Sequence, residues 1–229
     1  MTRTLSLLSW LAVGCAPAEA PLAGPSSDAL SRLGDRWYLL TVDDRDCSTC
    51  GGFFVEAVNR AQTPCADGTT ADTCHVDVVE TPVSTTADQQ ARFDLALSEG
   101  RLLVSARLVA DSTTTDARVT LDVGDAREGL SGAAPAGVFV SVAETGRLCG
   151  PVPCEDLRER RLGGLSSRLV ADLDFSGSTL TDEQVVAAWD AAADPRGLVV
   201  AGRRTTVDDG VGGTLAARTV TEAWVPLLP

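Results

Sequence analysis

The chain has no lysine. All 19 of its basic residues are arginines, set against 32 acidic ones, for a formal net charge of -13 over 229 residues. Such an excess opposes nucleic acid and anionic membrane as partners, because binding either requires positive charge to neutralise phosphates. There is a single histidine, His75, and the sequence contains no Gly-x-Ser-x-Gly elbow, no His-Glu-x-x-His and no glycine-rich phosphate loop. The local signatures of the best-known nucleophilic, zinc-dependent and phosphate-binding sites are therefore missing. Aromatic residues make up only 4% of the chain, whereas a glycosidase needs two carboxylates facing each other in a cleft usually lined with rings. Long hydrophobic runs are missing as well. The apolar stretch Leu5–Val13 is too short to cross the hydrocarbon core as a helix.

Arg3, that apolar stretch and the small residues before Cys15 have the order of an export signal. Leu11-Ala12-Val13-Gly14-Cys15 resembles the lipobox of bacterial lipoproteins, which implies a signal peptide over 1–15 and an acylated, palmitate-bearing Cys15. With Ala16 rather than aspartate after Cys15, the resemblance to bacterial sorting signals implies the outer membrane. Ala18-Glu19-Ala20 offers a rival cleavage site, which would give a soluble secreted or periplasmic protein. Residues 16–36 are rich in proline, alanine and serine and read as a flexible tether that cannot bury a core.

The remainder reads as α+β, two diverged copies of an antiparallel sheet-plus-one-helix unit, at 37–123 and 137–225, with 124–136 as linker. Each copy opens with a strand-like run, Trp37–Val42 and Val138–Val142, followed by a loop with two cysteines. Gly52–Val58 is a further strand candidate, whereas its counterpart Glu155–Arg160 is too polar to assign with the same clarity. Alternation at His75–Val79 and Ser167–Phe175 predicts half-buried strands. Thr86 and Thr181 each precede a glutamine by three residues, Gln89 and Gln184, the reciprocal capping pattern of a helix start. Phe93 and Leu97 then share one helix face, and Val185, Trp189 and Ala192 another. Gly100 and Gly197 mark the two helix ends, and two strand candidates follow each.

Without Cys15 there are six cysteines, an even number that suits an oxidising compartment. The second copy has Cys149 and Cys154 but no equivalents of Cys65 and Cys74, so those two are expected to be bonded to each other. That leaves Cys47–Cys50, Cys65–Cys74 and Cys149–Cys154, three local staples. A redox role for Cys47-x-x-Cys50 is disfavoured by Asp43, Asp44 and Asp46 just before it, since negative charge disfavours the thiolate. A zinc site from Cys47, Cys50, Cys65 and Cys74 has an unusually wide second spacing. His75 reads as a structural or surface residue. Asp67, Asp72, Asp77, Asp172, Asp174, Asp208 and Asp209 read as turn aspartates, with calcium as the weaker alternative because no loop has the Asp-x-Asp-x-Asp-Gly pattern. No catalytic, cofactor or metal residue is assigned. Trp37, Tyr38, Trp189 and Trp224 read mostly as core, and whichever of Phe53 and Phe54 faces outward is the better contact candidate.

The pattern Tyr38-x3-Val-Asp-x-Arg45-Asp-Cys47-x2-Cys50-Gly-Gly-x2-Val55-x2-Val58-Asn59, with Thr63-Pro-Cys65-Ala-Asp67-Gly68 and Cys74-x-Val76, resembles an uncharacterised family of exported proteins from myxobacteria and their relatives. Most of that family are lipoproteins. The resemblance implies that Asn59, Asp67 and Gly68 belong to a cysteine-framed loop, and it reaches the second copy only through the sheet-helix-sheet order and Thr221-Glu-Ala-Trp224. His75 stands where an aromatic residue is expected. The functional expectation is a non-enzymatic envelope lipoprotein serving as a structural or interaction module. Its membrane contact would be through the lipid anchor only, with an envelope protein or polysaccharide as partner. The alternative is an extracellular hydrolase that uses carboxylates clustered between the two copies.

Overall fold

The computed structural model describes residues 36–45, 51–111, 118–149 and 154–228. The expected signal peptide with Cys15, nearly all of the tether, and Cys47 and Cys50 lie outside the described residues. Strand β1 (Arg36–Val42) sends Tyr38 and Leu40 into one apolar cluster and Trp37 and Leu39 towards another. This is the period-two signature of a strand covered on both faces. It pairs antiparallel with β2 (Phe53–Ala57) on one side and with β7 (Leu102–Asp111) on the other. Outward from these lie β5 (Cys74–Val76) beside β2 and β8 (Arg118–Gly129) beside β7, while β6 (Val78–Glu80) runs parallel to β8. Between β2 and β5 rises a short hairpin, β3 (Thr63–Pro64) with β4 (Thr70–Ala71).

The second half has the same succession of partners. Strand β9 (Val138–Glu144) lies between β10 (Leu157–Arg161) and β13 (Leu198–Asp208). Beyond them are β11 (Ser167–Val170) and β14 (Thr214–Pro226), and β12 (Asp172–Asp174) runs parallel to β14. An antiparallel contact between β8 and β14 joins the halves into one twelve-stranded sheet. The protein is thus a mixed α+β fold dominated by antiparallel sheet, with two helices among the described residues.

Two parallel pairs correct the expectation of a wholly antiparallel layer. Each alternating stretch that reads as one strand is in fact two strands with different partners. The first breaks at Asp77, whose N–H donates to the Val119 carbonyl at 2.9 Å, and the second at Ala171, whose N–H donates to Ala216 at 2.7 Å. At each break the chain leaves the sheet edge and crosses to lie along the long strand of its half. Both long hairpins also carry a bulge at the same place, between Ser105 and Ala106 and between Ala201 and Gly202. Gly202 is required there, because a Cβ would fall 2.1 Å from the Thr219 carbonyl oxygen. Strand β8 continues to Gly129, so the boundary expected at 123/124 falls inside a strand and the true connection begins after it. The polar segment around Glu155–Arg160 does form a strand, β10, with Glu159 directed inward.

Both helices start on the capping pattern read from sequence. The Thr86 hydroxyl accepts from Gln89 N–H at 3.3 Å while the Gln89 side chain accepts from Thr86 N–H at 2.9 Å; the Thr181–Gln184 distances are 3.3 and 2.8 Å. The first helix (Ala87–Ser98) buries Phe93, Ala96 and Leu97. In the second (Asp182–Ala193) the buried residues are Ala188, Ala191 and Ala192. Val185 and Trp189 are only half-buried, which corrects the expectation that they occupy the seat of that helix. Alanines let the helix approach the sheet closely, and Trp189 lies edge-on to Phe175 with ring centres 6.0 Å apart.

Each helix covers one apolar cluster, the first of them completed by Leu227 and Leu228 from beyond β14. A third cluster, with Val58, Leu103, Phe139, Leu162, Val199 and Trp224, draws on both halves. The sheet therefore bends until its two halves face each other. Asn59, at φ 59°, closes this bend: its side-chain amide donates to the carbonyls of Phe139 and Leu162 at 2.9 and 3.2 Å and accepts from Phe139 N–H at 2.9 Å. Asparagine tolerates the left-handed backbone conformation better than other side-chain-bearing residues and carries both a donor and an acceptor. Among the described residues no helix is long and apolar enough to cross a membrane.

Candidate functional site: a pocket on the seam

The cysteine-framed loop is a local structure with its own hydrogen bonds. Cys65 is bonded to Cys74, and Cys149 to Cys154, so the four-cysteine zinc set is not available. Asp67 accepts from the N–H and the hydroxyl of Thr69 at 2.9 and 2.7 Å, and Gly68, at φ 84°, completes the turn. The Thr69 hydroxyl and N–H hold the Asp67 carboxyl below its ordinary range. Asn59, implied to belong to this loop, instead joins the two halves.

The candidate carboxylates are dispersed. Asp43 is buried beneath Arg45, whose Nε and Nη2 each reach it at 2.7 Å; that side-chain bonding is the main reason its carboxyl is held far below the usual range. Phe54 does not stand free as a contact residue. It lies under the Arg45 guanidinium at 4.9 Å and edge-on to His75 at 5.6 Å. His75 makes a 2.6 Å contact with the Gly51 carbonyl through Nε2. Asp174 is held low by the Ser176 hydroxyl and N–H, and Asp209 by the N–H groups of Val211 and Gly213. Each of these aspartates closes its own turn. Among the described residues no three His, Cys, Asp or Glu side chains form a group that could hold a metal ion.

Where the halves meet there is a pocket of about 200 Å³ with Leu39, Glu56 and Arg101 on one side and Glu222 and Trp224 on the other. The segment that follows β8 closes it. Glu222, 1% exposed, accepts from the N–H groups of Ser131, Ala133 and Ala223 at 3.2, 2.9 and 2.8 Å, and from the Ser131 hydroxyl. Its two oxygens are therefore occupied in holding the connection between the halves. Arg101 donates to Glu128 at 3.1 Å and to the Gly129 carbonyl. Glu56 is the exposed carboxylate of the pocket.

Sequence reasoning did not single out Glu222, Arg127, Glu159 or Arg218, although all four are buried charges. Arg127 donates to the carbonyls of Gly197 and Arg196 at 2.6 and 2.9 Å, at the end of the other half's helix. The usable signal was a charge at an inward position of a strand that is otherwise apolar on that face, as in Thr221-Glu-Ala-Trp224.

Fold and seam together define a mainly antiparallel α+β domain, pinned by short-range disulfides and closed across its middle by buried charged side chains. The chain belongs to a family described as a domain of unknown function (DUF6748), whose model matches residues 36–226 and so spans both halves. No curated protein and no solved structure matches the chain.

Proposed function

We propose that this protein is an exported envelope lipoprotein, anchored to the outer membrane by an acylated Cys15, whose body is an interaction module made of two diverged copies of one sheet-plus-helix unit. The two-copy reading is supported by the recurrence of partner order, bulge position, strand break and helix cap in both halves. The seam supports it further. Strands β8 and β14 occupy the same place in their halves, and Glu128↔Val225 lies at the centre of their three paired positions, as expected for a unit facing its own duplicate. The envelope address rests on the Arg3-to-Cys15 pattern and on disulfides, which persist in oxidising compartments.

The observation that carries the module reading is the state of Glu222. A buried carboxylate whose oxygens are taken up by three backbone N–H groups and a hydroxyl fixes the shape of the pocket, and the pocket walls are supplied by both halves. The partner proposed is an envelope protein or polysaccharide, with no nucleic acid. Changing Cys15→Ser should move the protein from the membrane to the soluble fraction. Intact-protein mass spectrometry that finds the wild-type mature chain starting at Pro21 overturns the anchor.

One observation favours a second reading, an extracellular hydrolase: Glu56 and Glu222 are brought into one concave pocket between the halves, which is where paired carboxylates would act. The discriminating assay uses p-nitrophenyl glycosides and esters. Turnover by the wild type that drops about 100-fold or more in Glu56→Gln establishes the hydrolase and displaces the module.

A further inference from the structure

A second cavity, of about 510 Å³, lies away from the seam in the second half, and it is lined by Arg161, Arg168, Arg203, Arg204 and Arg218 with Glu159 as the one carboxylate in its wall. In a chain of net charge -13, five arginines lining one space against a single acid make a local reversal of sign. Glu159 accepts from Arg218 Nε at 2.8 Å through one oxygen and from Arg204 Nε at 3.0 Å through the other. Arg218 also donates to the Gly202 carbonyl at 3.0 Å, so its guanidinium is fixed before any ligand arrives. Both Glu159 and Arg218 side chains are 2% exposed. Arg161, Arg168, Arg203 and Arg204 are exposed, and Arg161 also donates to the Asn59 carbonyl at 2.9 Å.

The first half shows that the sheet does not need these charges. The pair Val55↔Cys74 there stands where Glu159↔Arg168 stands in the second half, and Leu108↔Leu121 stands where Arg204↔Arg218 stands. All four first-half residues belong to, or pack against, an apolar cluster. The connection 58–73, with its hairpin and the Cys65–Cys74 bond, is long enough to cover that end of the sheet. In the second half the corresponding connection is only 162–166, and the same end of the sheet is an open, cationic basin.

We propose that this basin is a binding site for a small, multiply charged oxyanion ligand. Planar guanidinium groups pair two-pronged with phosphate or carboxylate oxygens. A concave wall of one charge sign concentrates field on a ligand of the opposite sign. Glu159 acts as a positioning residue: it fixes the buried Arg218 as a positive charge behind the wall and holds the exposed Arg204 in the wall itself. The cavity volume suits a group larger than a single halide and lies within the range of small-ligand pockets. This site is separate from the seam pocket and does not depend on the function proposed for it.

The test is calorimetric titration of the full-length protein, at low ionic strength, with inorganic pyrophosphate in one arm and citrate in the other. Saturable one-site binding with a dissociation constant below about 1 mM is expected in at least one arm, and the tighter arm tells phosphate from carboxylate chemistry. Arg168→Ala together with Arg203→Ala should weaken it about tenfold or more, at two exposed positions whose loss leaves the Glu159–Arg218 pair in place. Arg118→Ala, an exposed arginine of β8, should leave it unchanged. Absence of saturation in both arms at about 10 mM, or equal weakening by Arg118→Ala, overturns the site.

Discussion

Glu159→Ala should lower the free energy of unfolding by about 3–5 kcal/mol, because it strands Arg218 as a buried charge without its carboxylate. Arg218 has side-chain exposure of 2% and loses a 2.8 Å ion pair, whereas Arg204, 46% exposed, recovers water. The informative companion is Glu159→Val with Arg218→Leu, which installs the residue types that Val55 and Leu121 supply in the first half. Replacing a buried ion pair by packed apolar groups is often neutral or stabilising, so the double variant should unfold within about 1 kcal/mol of the wild type or above it. Urea unfolding followed by tryptophan fluorescence measures both. A double variant as unstable as the single one would show that lost packing, not an unpaired charge, causes the effect.

Trp224→Ala is expected to cost about 3–5 kcal/mol, the cost of emptying a fully buried aromatic site. Trp224 is 2% exposed, lies 5.2 Å from the Phe139 ring and belongs to the seam cluster, to which both halves contribute. Trp189→Ala should cost about half as much or less, since that ring is half-buried and the alanines of its helix make the close contact. The same denaturant series compares the two. Because the seam cluster and the Asn59 bonds couple the halves, Trp224→Ala should still unfold in a single transition. Two separated transitions would mean that each half is stable without the other, and equal losses at Trp189 and Trp224 would refute the burial argument.

What could be read without coordinates was local in the chain. Thr86 with Gln89 and Thr181 with Gln184 sit three residues apart, so the bonds that start each helix are written within one turn. Phe93 and Leu97 are spaced for one helix face, and the first helix buries both. For the second helix the same periodicity favours Val185, Trp189 and Ala192; Ala192 docks, with Ala188 and Ala191, while the two larger residues stay half-buried. Helix spacing reports which residues share a face, not how closely that face approaches the sheet. The alternating stretches read as extended, but their breaks at Asp77 and Ala171 leave no mark in the sequence, because a change of partner leaves the alternation almost intact.

The class of fold, the two helices with their caps, most of the strands and the local disulfide Cys65–Cys74 are legible in the chain, since each depends on residues close together in it. The single bent sheet, the Asn59 closure, the seam pocket around Glu222 and the arginine basin emerge only on folding. Asn59 and Phe139 are 80 positions apart, and Glu159 and Arg218 are 59 apart. Such contacts exist only when strand register brings them onto one face, and a shift of one residue would turn every side chain to the opposite side. The polarity of Glu155–Arg160 looked like a weak strand because its partners, Arg204 and Arg218, lie on strands far along the chain. With those arginines in place, Glu159 is a satisfied inward residue, and the segment pairs like its apolar counterpart β2.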